Sequence, residues 1–189
     1  MRPEDPLEPL GQSGIALLLT MMAMLLLSVL AAAIVMLTST ESLIASSFRS
    51  GREAFYAAEA AGEWSLGELA ALKDDWTGVV NGLTPSSFVD GPPSGTRSLD
   101  GDPIVDLTAI GTANPGWRLF SYGPFGALVR ASAVARFYVV TLVAPDPRSL
   151  DGLSVRAVAL GPRGARRTIE LQLLRSARGV HVISWSDKP

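Results

Sequence analysis

The run GIALLLTMMAMLLLSVLAAAIVMLT, residues 14–38, contains no charge, no proline and no glycine after its first residue. The uncharged stretch is wider still, because nothing ionisable stands between Glu8 and Glu41. At about 1.5 Å of rise per residue the run makes a helix roughly 35 Å long, enough to cross a hydrocarbon core of about 30 Å. Leu17, Leu18, Leu19, Leu25, Leu26, Leu27, Leu30 and Leu37 each favour the bilayer by roughly 0.3 to 0.6 kcal/mol at central depth. Thr20 and Ser28 can return their hydroxyls to a carbonyl one turn back. Residues 15–40 are therefore predicted to form a transmembrane or filament-core helix. No proline occurs between Pro9 and Pro85, and Phe48, Phe55, Leu66, Leu69 and Trp76 recur at near-helical spacing among charged residues. That pattern predicts an amphipathic helix over 41–76 continuing the first.

Outward from this helix the chain changes character twice. Residues 1–14 form a short leader that Pro3, Pro6 and Pro9 keep irregular as far as Gly14. Residues 77–116 are rich in Gly and Pro and read as a variable loop region, with a short strand or turn near Ile104 to Ile110. From 117 to 189 the chain reads as an antiparallel sheet, with strands expected at 118–122, 134–143, 154–160, 166–175 and 180–185. In the fourth strand Thr168, Glu170 and Gln172 alternate with Ile169, Leu171 and Leu173, which gathers the aliphatic set on one face. Gly161-Pro162-Arg163-Gly164 supplies a hairpin loop before it. A helix packed on that face gives an α+β domain. Gly51, Gly62 and Gly67 are places where the helix bends or packs closely on the sheet.

Composition bounds the chemistry. There is no cysteine, so disulfides, a lipoprotein anchor, thiol catalysis and thiolate metal sites are excluded. The charges are segregated: ten acids stand against two bases between Glu53 and Asp106, and ten arginines against three acids between Arg118 and Arg178. The two halves should attract, within one molecule or between neighbours. A cleaved secretory signal would need a basic first region, whereas Glu4, Asp5 and Glu8 outnumber Arg2, and Ile34-Val35-Met36-Leu37 follows the small-residue site at Ala31-Ala32-Ala33.

Gly14-Ile15-Ala16-Leu17-Leu18, the long apolar helix, and then Ala54-Phe55-Tyr56-Ala57-Ala58-Glu59-Ala60-Ala61 together resemble the N-terminal region of type IV pilins, specifically the PilX-like minor pilins. The resemblance implies removal of the leader by a prepilin peptidase between Gly14 and Ile15, N-methylation of Ile15, and a pilin-like fold. It carries Phe55, Ala58 and Glu59 as the family motif on the helix. Major pilins have Glu at the fifth mature position, where this chain has Leu19; PilX-like minor pilins and the tip pseudopilin of type II secretion systems also lack that acid. The partners implied are inner-membrane lipid, other pilins and minor pilins, the prepilin peptidase and the pilus assembly platform. The location implied is a single pass through the bacterial inner membrane, N-terminus inside and C-terminal domain periplasmic, followed by the pilus or cell surface. A type II secretion pseudopilin and a signal-anchored periplasmic binding module, for DNA or a surface ligand, are the alternatives.

Residue chemistry offers no enzyme. The one histidine, His181, has no second His or Cys to complete a metal or catalytic set and reads as a strand-surface residue. No nucleophile motif or phosphate-binding loop occurs, and no cofactor is implied. Asp100, Asp102 and Asp106 bring oxygen ligands into one loop but lack the spacing of a calcium loop, so they read as solvated acids. Arg163, Arg166 and Arg167 form a basic face that DNA phosphates would suit, with the acidic helix as competitor. Trp64, Trp76, Trp117 and Trp185 read as core or interface anchors.

Overall fold

The computed structural model describes residues 12–72, 76–99, 102–129 and 136–188. The chain divides into two units, Met1–Ser46 and Ser47–Pro189. The first helix, α1 (Gln12–Ala71), supplies the described part of the first unit and the opening element of the second. Then follow α2 (Thr77–Val80), β1 (Thr96–Leu99), β2 (Asp102–Asp106), α3 (Leu107–Ala113) and five strands. These are β3 (Arg118–Pro124), β4 (Tyr138–Pro145), β5 (Gly152–Leu160), β6 (Arg166–Ser176) and β7 (Gly179–Lys188), in one antiparallel meander ordered β3-β4-β5-β6-β7. The α+β expectation and all five predicted strands are present, although residues 134–135 of the second lie outside the described residues.

The part of α1 in the second unit packs on the sheet through small residues. Ala54, Ala57, Ala58, Ala61, Ser65 and Leu69 are buried at helical spacing. They face Val143, Val155, Ala157, Ile169, Leu171 and Leu173 of the sheet. A Cβ added to Gly62 would lie 3.1 Å from Leu171 Cδ1 and 3.7 Å from Ala157 Cβ, so close packing is the role of this glycine. Gly67 is exposed with open space around it. The expected amphipathic face is corrected in part: Leu69 and Trp76 are buried as expected, whereas Phe48 is 67% exposed and Phe55 and Leu66 are half-buried, and most of the buried stripe is alanine. A helix this near a sheet has no room for large side chains beneath its axis, so they flank the contact. At its centre Ser65 Oγ donates to Thr141 Oγ1 (3.1 Å), as does Ser121 Oγ (2.8 Å), and Ser65 and Ser121 lie 3.2 Å apart. All three hydroxyls are buried and satisfy one another.

Among the described residues α1 already runs from Gln12, three residues before the expected start at Ile15. It ends at Ala71, short of the expected 76. Trp76 is buried beyond that end and its Nε1 donates to the Leu69 carbonyl at 3.1 Å, one of the last-turn carbonyls left without an intrahelical donor.

The region 77–116 is structured where the sequence predicts a loop. β1 and β2 pair antiparallel, and Asp106 caps α3, accepting from the backbone N–H groups of Thr108 (2.9 Å) and Ala109 (3.2 Å). Val105 and Leu107 join Tyr122, Tyr138 and Val140 in a second core on the sheet face away from α1. Covered on both sides, β4 is buried from Tyr138 to Ala144, which explains its unbroken apolar run. Residues 86–90 run beside β3, with Tyr122 N–H donating to Phe88 O (3.0 Å) and Asp90 N–H to Tyr122 O (2.9 Å). Glu68 of α1 holds this segment by accepting from the hydroxyls of Ser86 and Ser87 and from the Ser87 N–H (2.8 Å).

Candidate membrane segment and processing position

Within the first unit the large apolar side chains from Ile15 to Leu37 are between 57% (Met22) and 73% (Met36) exposed. This helix is long and apolar enough to cross a membrane. A core helix of a soluble protein would bury one face, and here no face is buried. The helix hides its polar groups instead. Thr20 Oγ1 donates to Leu17 O (2.8 Å), Ser28 Oγ to Met24 O (2.8 Å), Thr38 Oγ1 to Ile34 O (2.9 Å) and Ser39 Oγ to Val35 O (2.9 Å). An outer surface on which every hydroxyl between residues 15 and 40 is turned inward suits an apolar solvent, whether lipid or other helices.

Gly14 and Ile15 lie in the first turns of α1, both exposed, and a Cβ on Gly14 would meet nothing within 4 Å. Leu19, where pilins usually carry the acid, is exposed like its neighbours. In the second unit Phe55 meets Tyr56 and Trp185 edge-on, with ring centroids 5.7 and 5.9 Å apart. Ala58 is fully buried on the sheet, while Glu59 is half-exposed and has no ion pair among the described residues.

The charge expectation is corrected for contacts within the molecule. Five ion pairs occur among the described residues: Arg49–Glu53, Arg97–Asp90, Arg156–Glu170, Arg167–Asp187 and Arg175–Asp151. None joins the acidic half to the arginine half. Arg156 is additionally held by the Trp117 ring at 4.2 Å and by Asn114 Oδ1 at 2.6 Å. Arg163 and Arg166 are exposed and Arg167 half-buried, around the turn between β5 and β6. A Cβ on Gly51 would lie 3.9 Å from Arg167 Nη2, so the Arg167 side chain reaches α1 at that glycine.

His181 stands exposed on β7 with Nε2 3.1 Å from Ser176 Oγ, as expected of a strand-surface residue. Of the three loop acids, Asp106 spends its carboxylate on capping α3, Asp100 lies outside the described residues, and so does the side chain of Asp102. Among the tryptophans, Trp76 is buried and Trp117 stacks on Arg156, whereas Trp64 and Trp185 are 42% and 47% exposed. The buried hydroxyls at Ser65, Ser121 and Thr141 and the Glu68 clamp were not foreseen; small polar residues give no periodic signal.

Burial raises the pKa of the Tyr138 phenol well above the usual range for tyrosine, and Asp90, which accepts its hydroxyl proton at 3.2 Å, adds to the shift. Burial likewise raises that of Tyr122, with Arg97 opposing and Asp90 assisting. Tyr122 donates to Gly91 O at 2.7 Å, and Arg97 donates to the carbonyls of Asp90 (3.0 Å) and Ser94 (3.1 Å). These groups fasten the 90–97 loop over the second core. No protein family, curated protein or solved structure matches this chain.

Proposed function

We propose that this chain is a minor pilin of the PilX-like kind. After a prepilin peptidase cuts between Gly14 and Ile15, it assembles into a type IV pilus or primes one. The observation that carries the reading is the bare apolar helix from Ile15 to Leu37, directly preceded by glycine and followed in the chain by an α+β unit that packs its own share of α1. Such a helix is anchored first in the inner membrane by lipid. Transfer from lipid into a bundle of neighbouring helices is close to neutral for aliphatic side chains, so packing and specific contacts with other pilins decide assembly. Leu19 cannot pair with a neighbour's terminal amine, which favours initiation or a tip-proximal position over bulk incorporation. The C-terminal unit lies in the periplasm before assembly and on the filament or cell surface after it.

Mass spectrometry of the protein in membranes of its source organism tests this reading. A chain beginning at Ile15, methylated on its amine, is the expected result; an intact Met1 or a start after Ala33 overturns it. A type II secretion pseudopilin would give the same terminus, and genomic neighbours encoding an outer-membrane secretion apparatus rather than a retraction ATPase would identify it. A signal-anchored binding module would keep residues 1–14.

A further inference from the structure

The sheet of the second unit has one open border. β7 pairs with β6 on one side and has no strand beyond it among the described residues. Natural strand borders are kept from pairing by outward charges, by proline or by a bulge. Between Val180 and Ser186 there is no proline and no Lys, Arg, Asp or Glu. A bulge is present: Leu173 opposes Val182 and Gln172 opposes Ser184, so Ile183 is the extra residue. That residue is itself aliphatic and 54% exposed, so the bulge bends the border without making it polar. The two faces of β7 differ. Val182 and Trp185 oppose Leu173 and Leu171, which are buried under α1, and so stand on the α1 face. There the contacts of Trp185 with Phe55 and of Phe55 with Tyr56 carry the apolar surface from the strand to the flank of the helix. Val182, Trp185 and Tyr56 are 44%, 47% and 51% exposed. Half of an aromatic side chain is roughly 100 Å². With Ile183 the patch thus reaches about 300 Å² or more, a size at which apolar surface on a monomer is often functional. On the other face His181, Ser184 and Ser186 oppose Leu174, Gln172 and Glu170.

Backbone groups along such a border are met by water or by another extended chain, and apolar surface beside them favours the chain. Three properties select a second copy as that chain. Antiparallel pairing about a two-fold axis normal to the sheet preserves its faces, so the apolar face of one β7 meets the apolar face of the other and the serines meet serines. It also brings the start of one β7 to the end of the other. At the start Arg178 is exposed and has no ion pair among the described residues; at the end Asp187 stands beside Lys188 and holds Arg167 only at 4.0 Å. The parallel sense would set Asp187 against Asp187 and Lys188 against Lys188. Finally, residues 86–90 already run along β3, so the border a copy can offer to β7 is its own β7. We infer that two copies of this chain join by antiparallel pairing of β7 with β7, with Val182, Ile183 and Trp185 at the centre of the contact. The inference concerns the second unit alone and is independent of the membrane reading of residues 15–40.

The test is analytical ultracentrifugation of the full chain in detergent micelles, which impose no common direction on two copies. The protein mass is expected to rise from one chain to two between roughly 1 and 100 μM. Ile183→Lys puts a charge at the centre of the border. It should raise the midpoint concentration about tenfold or more and leave the melting temperature unchanged, because the side chain it replaces is exposed. A dimer that Ile183→Lys leaves intact overturns β7 as the contact and points to the apolar helices instead. A monomer at every concentration overturns the pairing. The chain has no cysteine, so single introduced ones report the sense of the pair. Arg178→Cys, Val182→Cys, Ser184→Cys and Lys188→Cys are made one at a time. A disulfide between copies needs Cβ atoms about 4 Å apart, so it is expected for Val182→Cys or Ser184→Cys, near the two-fold axis, and not for the two end positions. Equal yields at all four positions overturn the antiparallel sense, because parallel strands set every residue beside its own counterpart.

Discussion

Gly62 and Gly67 are one and a half turns apart on α1 and have opposite reasons to be glycine. Gly62 lets the helix approach Leu171 and Ala157, so a leucine there must displace the sheet. Gly62→Leu is expected to destabilise the second unit by about 1 to 3 kcal/mol. Gly67 has open surroundings, and Gly67→Ala is expected to stabilise by about 0.5 to 1 kcal/mol, through helix propensity and a less disordered unfolded chain. Denaturation of each variant in the same detergent, followed by tryptophan fluorescence, measures both; equal effects of one sign would refute the assignment. From sequence alone the two glycines looked alike. Only the surroundings distinguish them, and those come from strands about a hundred residues downstream.

At the scale of the element, α1 is fastened to the sheet by Ala54, Ala57, Ala58 and Ala61, by the three buried hydroxyls around Ser65, and by Glu68. Glu68→Ala removes the acceptor for Ser86 and Ser87, so hydrogen exchange across residues 86–90 is expected to quicken by about tenfold while the β5–β6 ladder is unaffected. Unchanged exchange at 86–90 would show that pairing with β3 alone holds the segment. The elements differ in how openly the sequence declares them. The apolar helix was legible because hydropathy over more than twenty residues is a property of composition, and the β6 face because Ile169, Leu171 and Leu173 alternate. The buried face of α1 is legible at Leu69 but not at its alanines, which carry a weak hydrophobic signal beside Phe48, Phe55 and Leu66. The short pair β1 and β2 and the seven-residue α3, with Gly111 inside it, lack the length for periodicity to show. Of the candidate site, the Gly14–Ile15 junction and Arg163, Arg166 and Arg167 could be named from sequence. The approach of Arg167 to Gly51 could not, because the two are more than a hundred positions apart along the chain.

For the second unit as a whole, the two buried tyrosines make stability depend on alkaline pH. The phenols of Tyr138 and Tyr122 have pKa values raised by folding, so above pH of about 10 the unfolded chain releases protons that the folded chain retains. The contribution is complete below that pH and falls as pH rises, for Tyr138 by up to about 1.4 kcal/mol per unit, with Tyr122 acting in the same direction. Denaturation midpoints measured from pH 8 to 11 are expected to drop above 10, and Tyr138→Phe to flatten the drop; a variant with the same slope would refute the role of Tyr138. The sheet has a further asymmetry. Its β3 border is taken up by residues 86–90, with the outward Ser87 N–H given to Glu68, whereas β7 has no strand beyond it among the described residues. Endless strand-by-strand polymerisation requires two vacant borders on every molecule. The β3 side thus offers a newcomer only a short segment already tied to Glu68, while β7 offers ten residues, so pairing of copies through β7 is favoured over ribbon-like growth from both borders.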